Sequence, residues 1–184
     1  MYNPYIVGKK VYLRHPTEED VKGDWHEWFS DEETTKYLIV RYWPNSLEQQ
    51  LDFYKSLKDN RNRMVLSIVS KEDDSHIGVL GINNINWVQR YAEGSIVIGS
   101  KAHRKAQFTI EATDLLHRVA FQRLNLLNLL SYHVSTNDGA LVIQELFKYE
   151  KIGEFSNLLL IDGEKCDLVA SSISKEIWSK EMGE

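Results

Sequence analysis

The stretch AEGSIVIGSKAHRKAQFTIEA, Ala92 to Ala112, changes period halfway along, and the fold follows from how that change is read. From Glu93 to Ile98 the β-branched residues predict a strand. From about Gln107 the apolar positions Ile110, Leu115, Val119 and Phe121 recur near helical spacing, predicting a helix through Arg123. A strand that enters a helix through a short polar loop presents the free amides of the first helical turn, which suit an anion such as a phosphate. Such loops are usually rich in glycine, yet this one has none between Ser100 and Ala112.

Upstream, Val11-Tyr12-Leu13-Arg14 alternates as a strand, and Thr17 with Asp20 three residues on opens a helix through Trp28. Asp31 and Ser46 read as caps of two more helices. The second, Leu47 to Leu57, places Leu47, Leu51, Tyr54 and Leu57 on one face, and Ser46 with Gln49 forms a capping box. Met64 to Val69 and His76 to Ile82, separated by the polar Lys71 to Ser75, read as a hairpin. Downstream, Leu126 to Val134 is expected to be a strand buried on both faces, followed by a helix from Asn137 to about Tyr149. A closing hairpin, Gly153 to Leu160 and Lys165 to Ser172, turns at Asp162-Gly163. The order β-α-α-α-β-β-β-α-β-α-β-β is an α+β layout with a mixed sheet.

The 184 residues, 42% hydrophobic, suffice for one domain spanning 1–184. A net charge of −5 and a pI near 5.7 argue against a nucleic-acid-binding face, which needs clustered Lys and Arg. No apolar run approaches a membrane span, and MYNPYIVGKK lacks a secretory h-region, so a cytoplasmic protein without a membrane partner is expected. The single cysteine, Cys166, has no internal disulfide partner and no histidines at metal-ligand spacing, and it sits in an alternating stretch that reads as a strand. No metal is expected.

Several motifs, in order, carry a resemblance. VYLRHPTEEDV (11–21), WHEWFSDEETTKYL (25–38), AEGSIVIGSK (92–101) with IEA (110–112), AFQRLNL (120–126), STNDGA (135–140) and IDGEKCDLVASSISKEIW (161–178) together resemble the GCN5-related N-acetyltransferase (GNAT) superfamily, in its RimJ/RimL-like branch. The resemblance implies a GNAT fold, a mostly antiparallel sheet of six or seven strands with a splayed parallel pair, flanked by helices. It further implies acetyl-CoA as co-substrate and direct acetyl transfer to a primary amine. The pantetheine arm would lie against backbone of Ile96, Val97 and Ile98, between Ser95 to Ile98 and Leu129 to Val134. The pyrophosphate would rest on Arg104, Lys105, Ala106, Gln107, Phe108 and Thr109, with Asn137 nearby or capping the next helix. Lys105, Gln107 and Thr109 replace the family's three glycines. Either backbone amides and the cations Arg104 and Lys105 suffice without glycine, or the side chains of Gln107 and Thr109 close the site.

For catalysis, Glu93 matches the family's strand acid and is the candidate base, the alternative being a solvent-facing strand residue. Seven residues after Asn137, where many relatives have a tyrosine acid, stands Gln144, so His133 and its neighbour Tyr132 become candidates, and His133 is selected. Among the aromatic residues of the first third, Trp28, Tyr37 and Trp43 are the candidates for lining the acceptor pocket. The acids Asp31, Glu32 and Glu33 either receive an ammonium group or serve the helix start. The resemblance of WFSDEETTKYL to amino-sugar members makes a nucleotide-linked amino sugar the expected acceptor, with a protein N-terminus or a polyamine as alternatives. A degenerate acyl-CoA-binding regulatory module is the reading from another class. A homodimer is a family-level expectation.

Overall fold

Three short sequence signals fix the frame of the molecule, a computed structural model that describes residues 1–182. Thr17 accepts the Asp20 amide and Asp20 accepts the Thr17 amide, closing the box that starts α1 (Glu18–Asp20). Asp20 is buried. It receives both Nη atoms of Arg14 at 2.6 and 2.7 Å and the Ser67 hydroxyl at 2.8 Å, which ties the helix start to two strands. The chain then passes through the wide turn Val21–Trp25, kinked at Gly23, into α2 (His26–Trp28). Asp31 and Ser46 cap α3 (Glu32–Thr35) and α4 (Leu47–Ser56) as their spacing predicts.

The strands are β1 (Ile6–Val7), β2 (Val11–Arg14), β3 (Met64–Ser70), β4 (His76–Asn86), β5 (Tyr91–Ile98), β6 (Asn128–Val134), β7 (Glu150–Ile161) and β8 (Glu164–Ser174). They form one sheet in the order β1-β2-β3-β4-β5-β6-β8-β7. Every neighbour is antiparallel except β5 and β6. The β7–β8 turn places Asp162 and Gly163 at φ +51° and +86°, the left-handed pair that an Asp-Gly hairpin turn requires.

Each face of the sheet carries its own core. Phe108, Ala112, Leu115 and Leu116 of α5 (Ala106–Arg118) pack over Leu66, Ile68, Leu80, Ala92 and Leu129. On the opposite face Val21, Trp25, Trp28 and Leu57 cover Val65 and Val79. Strand alternation therefore sorts β5: Ala92, Ile96 and Ile98 point to the α5 side, and Val97 points to the Trp25 side. Glu93 and Ser95 share the side of Val97.

The sheet differs from the sequence-based expectation in three places. It has eight strands rather than six or seven, because Ile6–Val7 adds a two-residue strand too short to show alternation. The strand expected over Leu126 to Val134 pairs only from Asn128, and it is not buried on both faces: Tyr132 is 45% exposed. The cause is the gap beside it, described below. The helix expected to reach Tyr149 is α6 (Asp138–Leu146), capped by Asn137 and ended before Lys148, whose φ is +61°. A last helix, α7 (Lys175–Met182), buries Trp178 in the α5-side core. Among the described residues no helix is long and apolar enough to cross a membrane.

Candidate active site

β5 and β6 pair over three residues only, Tyr91 with Asn128, Ala92 with Leu129 and Glu93 with Leu130. Beyond Glu93 they part. β5 stays on β4 as far as Ile98, and β6 stays on β8 as far as Val134. The facing edges of 94–98 and 131–134 thus have no strand between them, and a V-shaped opening runs through the sheet with Glu93 at its vertex.

A groove of about 630 Å³ occupies this opening and extends under α5 and α6. Its walls are Gly94, Ser95, Ile96 and Ile98 from β5, Ser131, Tyr132 and His133 from β6, Ala106, Thr109, Ile110 and Thr113 from α5, and the cap Asn137 with Asp138, Gly139, Ala140, Val142, Ile143 and Gln144 of α6. The α5 positions follow the helical spacing i, i+3, i+4, i+7, so the sequence carried a signal for Ile110 and Thr113 that the loop motif alone does not give. A second cavity, about 320 Å³, shares Tyr37, Leu38, Ile96, Ile98 and Asn137 with the first and adds Glu33, Thr34, Val97 and Arg104.

The loop between β5 and α5 explains how glycine is dispensed with. Lys101–His103 is a single 3-10 turn, and Arg104, at φ −74° and ψ +60°, is the centre of an inverse γ-turn closed by the Lys105 amide on the His103 carbonyl at 2.8 Å. Lys105 is extended and caps α5 without a side-chain bond. None of the residues from Ser100 to Thr109 has a positive φ, so the backbone asks for no glycine there. The amides of Ala106 and Gln107 open the helix, where no intrahelical acceptor exists for them. At this corner the close approach is at Gly99, where a Cβ would lie 1.9 Å from Cδ2 of the Trp28 indole, so that any side chain there has to displace the ring.

The sequence-selected residues are only partly brought together. Ile96, Ile98, Ala106, Thr109, Asn137, His133 and Tyr37 line the cavities, and Val97 borders the smaller one. Phe108 is fully buried in the α5 core, so it offers a ligand nothing beyond its backbone. Lys105 and Gln107 lie at the helix start but not on the walls of either cavity. Glu93, half-buried at the vertex, is likewise off the walls, on the opposite side of the strand from Gly94. Trp28 is buried beneath Gly99 and tilts against the His76 ring at 4.9 Å, and Trp43 is 78% exposed on the surface, so neither faces a cavity. Packing claims the first indole, and the segment holding the second turns outward after the 3-10 turn Ile39–Tyr42.

Arg104 is not held out for an anion. It donates to Glu33 at 2.9 Å, to Asp31 and the Gly99 carbonyl at 3.3 Å, and to the Thr34 hydroxyl. Lys101 lies 2.8 Å from Asp31 and 3.7 Å from Glu33. The Lys101 ammonium and hydrogen bonds from Thr34 hold the Asp31 carboxyl well below the usual carboxylate range. Tyr37 donates to the Thr136 carbonyl at 3.1 Å, pinning α3 beside the mouth of the groove.

Deeper in, the Gln144 amide donates to Nδ1 of His133 at 2.9 Å and to the Ser131 hydroxyl at 3.1 Å. With Nδ1 accepting, the His133 proton sits on Nε2, which is buried and has no hydrogen-bond partner among the described residues. Burial, with Lys151 nearby, lowers the pKa of His133, so the ring is neutral. Tyr149, at the end of the groove, is half-buried against the buried His117, 2.8 Å from oxygen to Nε2, and desolvation of its hydroxyl pushes its pKa far up.

A strand gap bordered by unpaired backbone, a groove walled by small and apolar residues, and two open amides at a helix start fit the pantetheine arm and pyrophosphate of acetyl-CoA. A search of curated proteins finds no match. Among solved structures, the chain is similar to a spermidine N-acetyltransferase from Vibrio cholerae in complex with CoA and spermine, at 18% identity and a TM-score of 0.85, covering 93% of this chain and 99% of that one. It is also similar to mutant forms of the Vibrio cholerae spermidine/spermine N-acetyltransferase SpeG, at 18% identity and a TM-score of 0.81 over 95% and 99% of the two chains. A chimera of that enzyme with hSSAT gives 18% and 0.82 over 92% and 98%. At these identities the likeness is one of fold. The model of the acetyltransferase (GNAT) domain matches residues 10–146, well over half of the sequence, and with the splayed strands and the groove it establishes that the chain belongs to the GNAT family, as an acetyltransferase that uses acetyl-CoA.

Proposed function

We propose that the protein acetylates a primary amine of a small polycation, a polyamine of the spermidine class, by direct transfer from acetyl-CoA. The observation that carries this reading is the second cavity: it opens off the groove and is bordered by a carboxylate, Glu33, and an aromatic ring, Tyr37, the pair of surfaces that suits an alkyl ammonium. The net charge of −5 and the fold shared with spermidine acetyltransferases support the same choice. The amino-sugar reading loses support because Trp28 and Trp43, the rings offered for stacking a sugar, stand outside the cavities.

Acetyl-CoA supplies the thioester whose acyl group moves to the acceptor nitrogen: the C–N bond forms as the C–S bond breaks, and CoA leaves as a thiolate that takes up, through water, the proton the acylated nitrogen sheds. The unpaired edges of 95–98 and 131–134 hydrogen-bond the arm, and the amides of Ala106 and Gln107, with Lys105 beside them, face the pyrophosphate. Glu93 at the vertex takes the ammonium proton through water, leaving the nitrogen lone pair free. His133, neutral and protonated on Nε2, polarises the reacting group as a donor and does not deliver a proton as an imidazolium.

Mass-spectrometric detection of product from acetyl-CoA with spermidine, spermine, UDP-linked amino sugars and short peptides tests the proposal. Acetyl-spermidine or acetyl-spermine is expected, with Glu93→Gln losing activity most steeply at low pH. Acetylation of the amino sugar alone would overturn the acceptor assignment.

A further inference from the structure

A cation of the loop that leads into α5, Arg104, is bound to two acids at the start of α3, Asp31 and Glu33. Arg104 and Lys101 on one side and Asp31 and Glu33 on the other close a quartet of two positive and two negative charges. Arg104 and Glu33 both border the small cavity, which shares Tyr37, Leu38, Ile96, Ile98 and Asn137 with the donor groove. We propose that this quartet is an ion exchanger: the coenzyme's pyrophosphate takes Arg104 and Lys101 away from Asp31 and Glu33, and the released carboxylates then receive the acceptor ammonium. The inference rests on the polyamine reading for its second half and on the family's coenzyme for its first.

Three features argue for exchange over a fixed strut. The Lys101 and Glu33 side chains are mostly in water, at 65% and 69% exposure, where an ion pair is cheap to open. A pyrophosphate offers more charge and more acceptor oxygens to a guanidinium fork than one carboxylate does. The quartet as it stands is neutral, so without the coenzyme the small cavity attracts a polycation weakly, and removing the two cations from it leaves a net double negative charge. Helix α3 keeps its place while this happens, because its cap runs through the Thr34 amide to Asp31, 2.9 Å, and its end is held by Tyr37 on Thr136.

Calorimetric titration of the full chain with CoA and with spermine, each in the absence and presence of the other, reads the coupling directly, and the two orders must agree. CoA is expected to tighten spermine about fivefold or more, and inorganic pyrophosphate at millimolar concentration to reproduce part of that gain. Glu33→Gln, an exposed change, is expected to tighten CoA two- to fivefold, about what one exposed ion pair contributes, and to reduce the coupling. Equal spermine affinity with and without CoA, or CoA affinity unchanged or weakened by Glu33→Gln, would overturn the exchange. If spermine binds in neither state while Glu33→Gln still tightens CoA, the polyamine reading fails and the release of Arg104 to the coenzyme stands.

Discussion

Lowering the pH from 7 to 5 should remove much of the protein's stability, through two histidines that the fold keeps neutral. His117 lies fully buried on α5 between Phe121, Phe147 and Tyr149, and burial lowers its pKa to about 3. His76 packs on Trp25 and Trp28 with Asp20, Arg14 and Asp24 around it, and burial, the leading cause, brings it to about 4. Both values lie below the ordinary 6.5 of an unfolded chain, so the stabilisation is complete above pH 6.5 and falls as the pH drops towards 4 and 3. At pH 5 the unfolded chain binds a proton at each site and the folded chain binds neither. Each site then costs about 2 kcal/mol, together about 4 kcal/mol, against a total of about 5–15 kcal/mol for a typical domain. Asp20 does not blur the window: Arg14 and other donors outweigh its burial and lower its carboxyl to about 2, so its loss begins only below about pH 4. Urea unfolding at pH 7 and pH 5 measures the difference. In His117→Gln, whose amide reaches towards the Tyr149 hydroxyl but does not titrate, the loss should fall to about 2 kcal/mol. A parent curve that moves by less than about 1 kcal/mol, or a variant that loses as much as the parent, refutes the reasoning.

Gly99→Ala should drive the Trp28 indole from its seat, costing about 1–3 kcal/mol by overpacking, with tryptophan emission shifted to the red; an unchanged spectrum and melting point would show that the ring can yield. Restoring glycine to the phosphate loop by Gln107→Gly should change acetyl-CoA affinity by less than about threefold, because no residue there needs a left-handed backbone. A tenfold gain in a calorimetric titration would mean that side-chain bulk closes the site.

What the sequence made legible was local. Thr17, Asp31, Ser46 and Asn137 all cap helices where they were read to, since a cap depends on an amide three residues away. The Asp162-Gly163 turn is set by the same short range. The splayed pair, expected through the family resemblance, opens just after Glu93, and periodicity alone could not have located it. Partnerships across the fold stayed hidden. Arg104 reads as a phosphate ligand in its own loop, but the acids that hold it stand about seventy residues earlier. Trp28 and Trp43 are the same residue type in one aromatic stretch, yet only packing against Gly99 separates a core ring from a surface ring. The tautomer of His133 depends on Gln144, a residue noticed only for what it is not.

The open V has a consequence for how this chain can drift in sequence. Its donor groove is, in backbone terms, a missing rung set in a ladder: N–H and C=O groups of 95–98 and 131–134 face one another across the gap, and any residue but proline supplies them. A coenzyme arm carrying amides completes the ladder without consulting the side chains. Recognition written in main-chain groups leaves substitutions along these edges nearly neutral, as long as the strands stay parted and the adjoining cores stay filled. A lineage can then retune the acceptor end, residue by residue, around a donor site that its mutations scarcely touch.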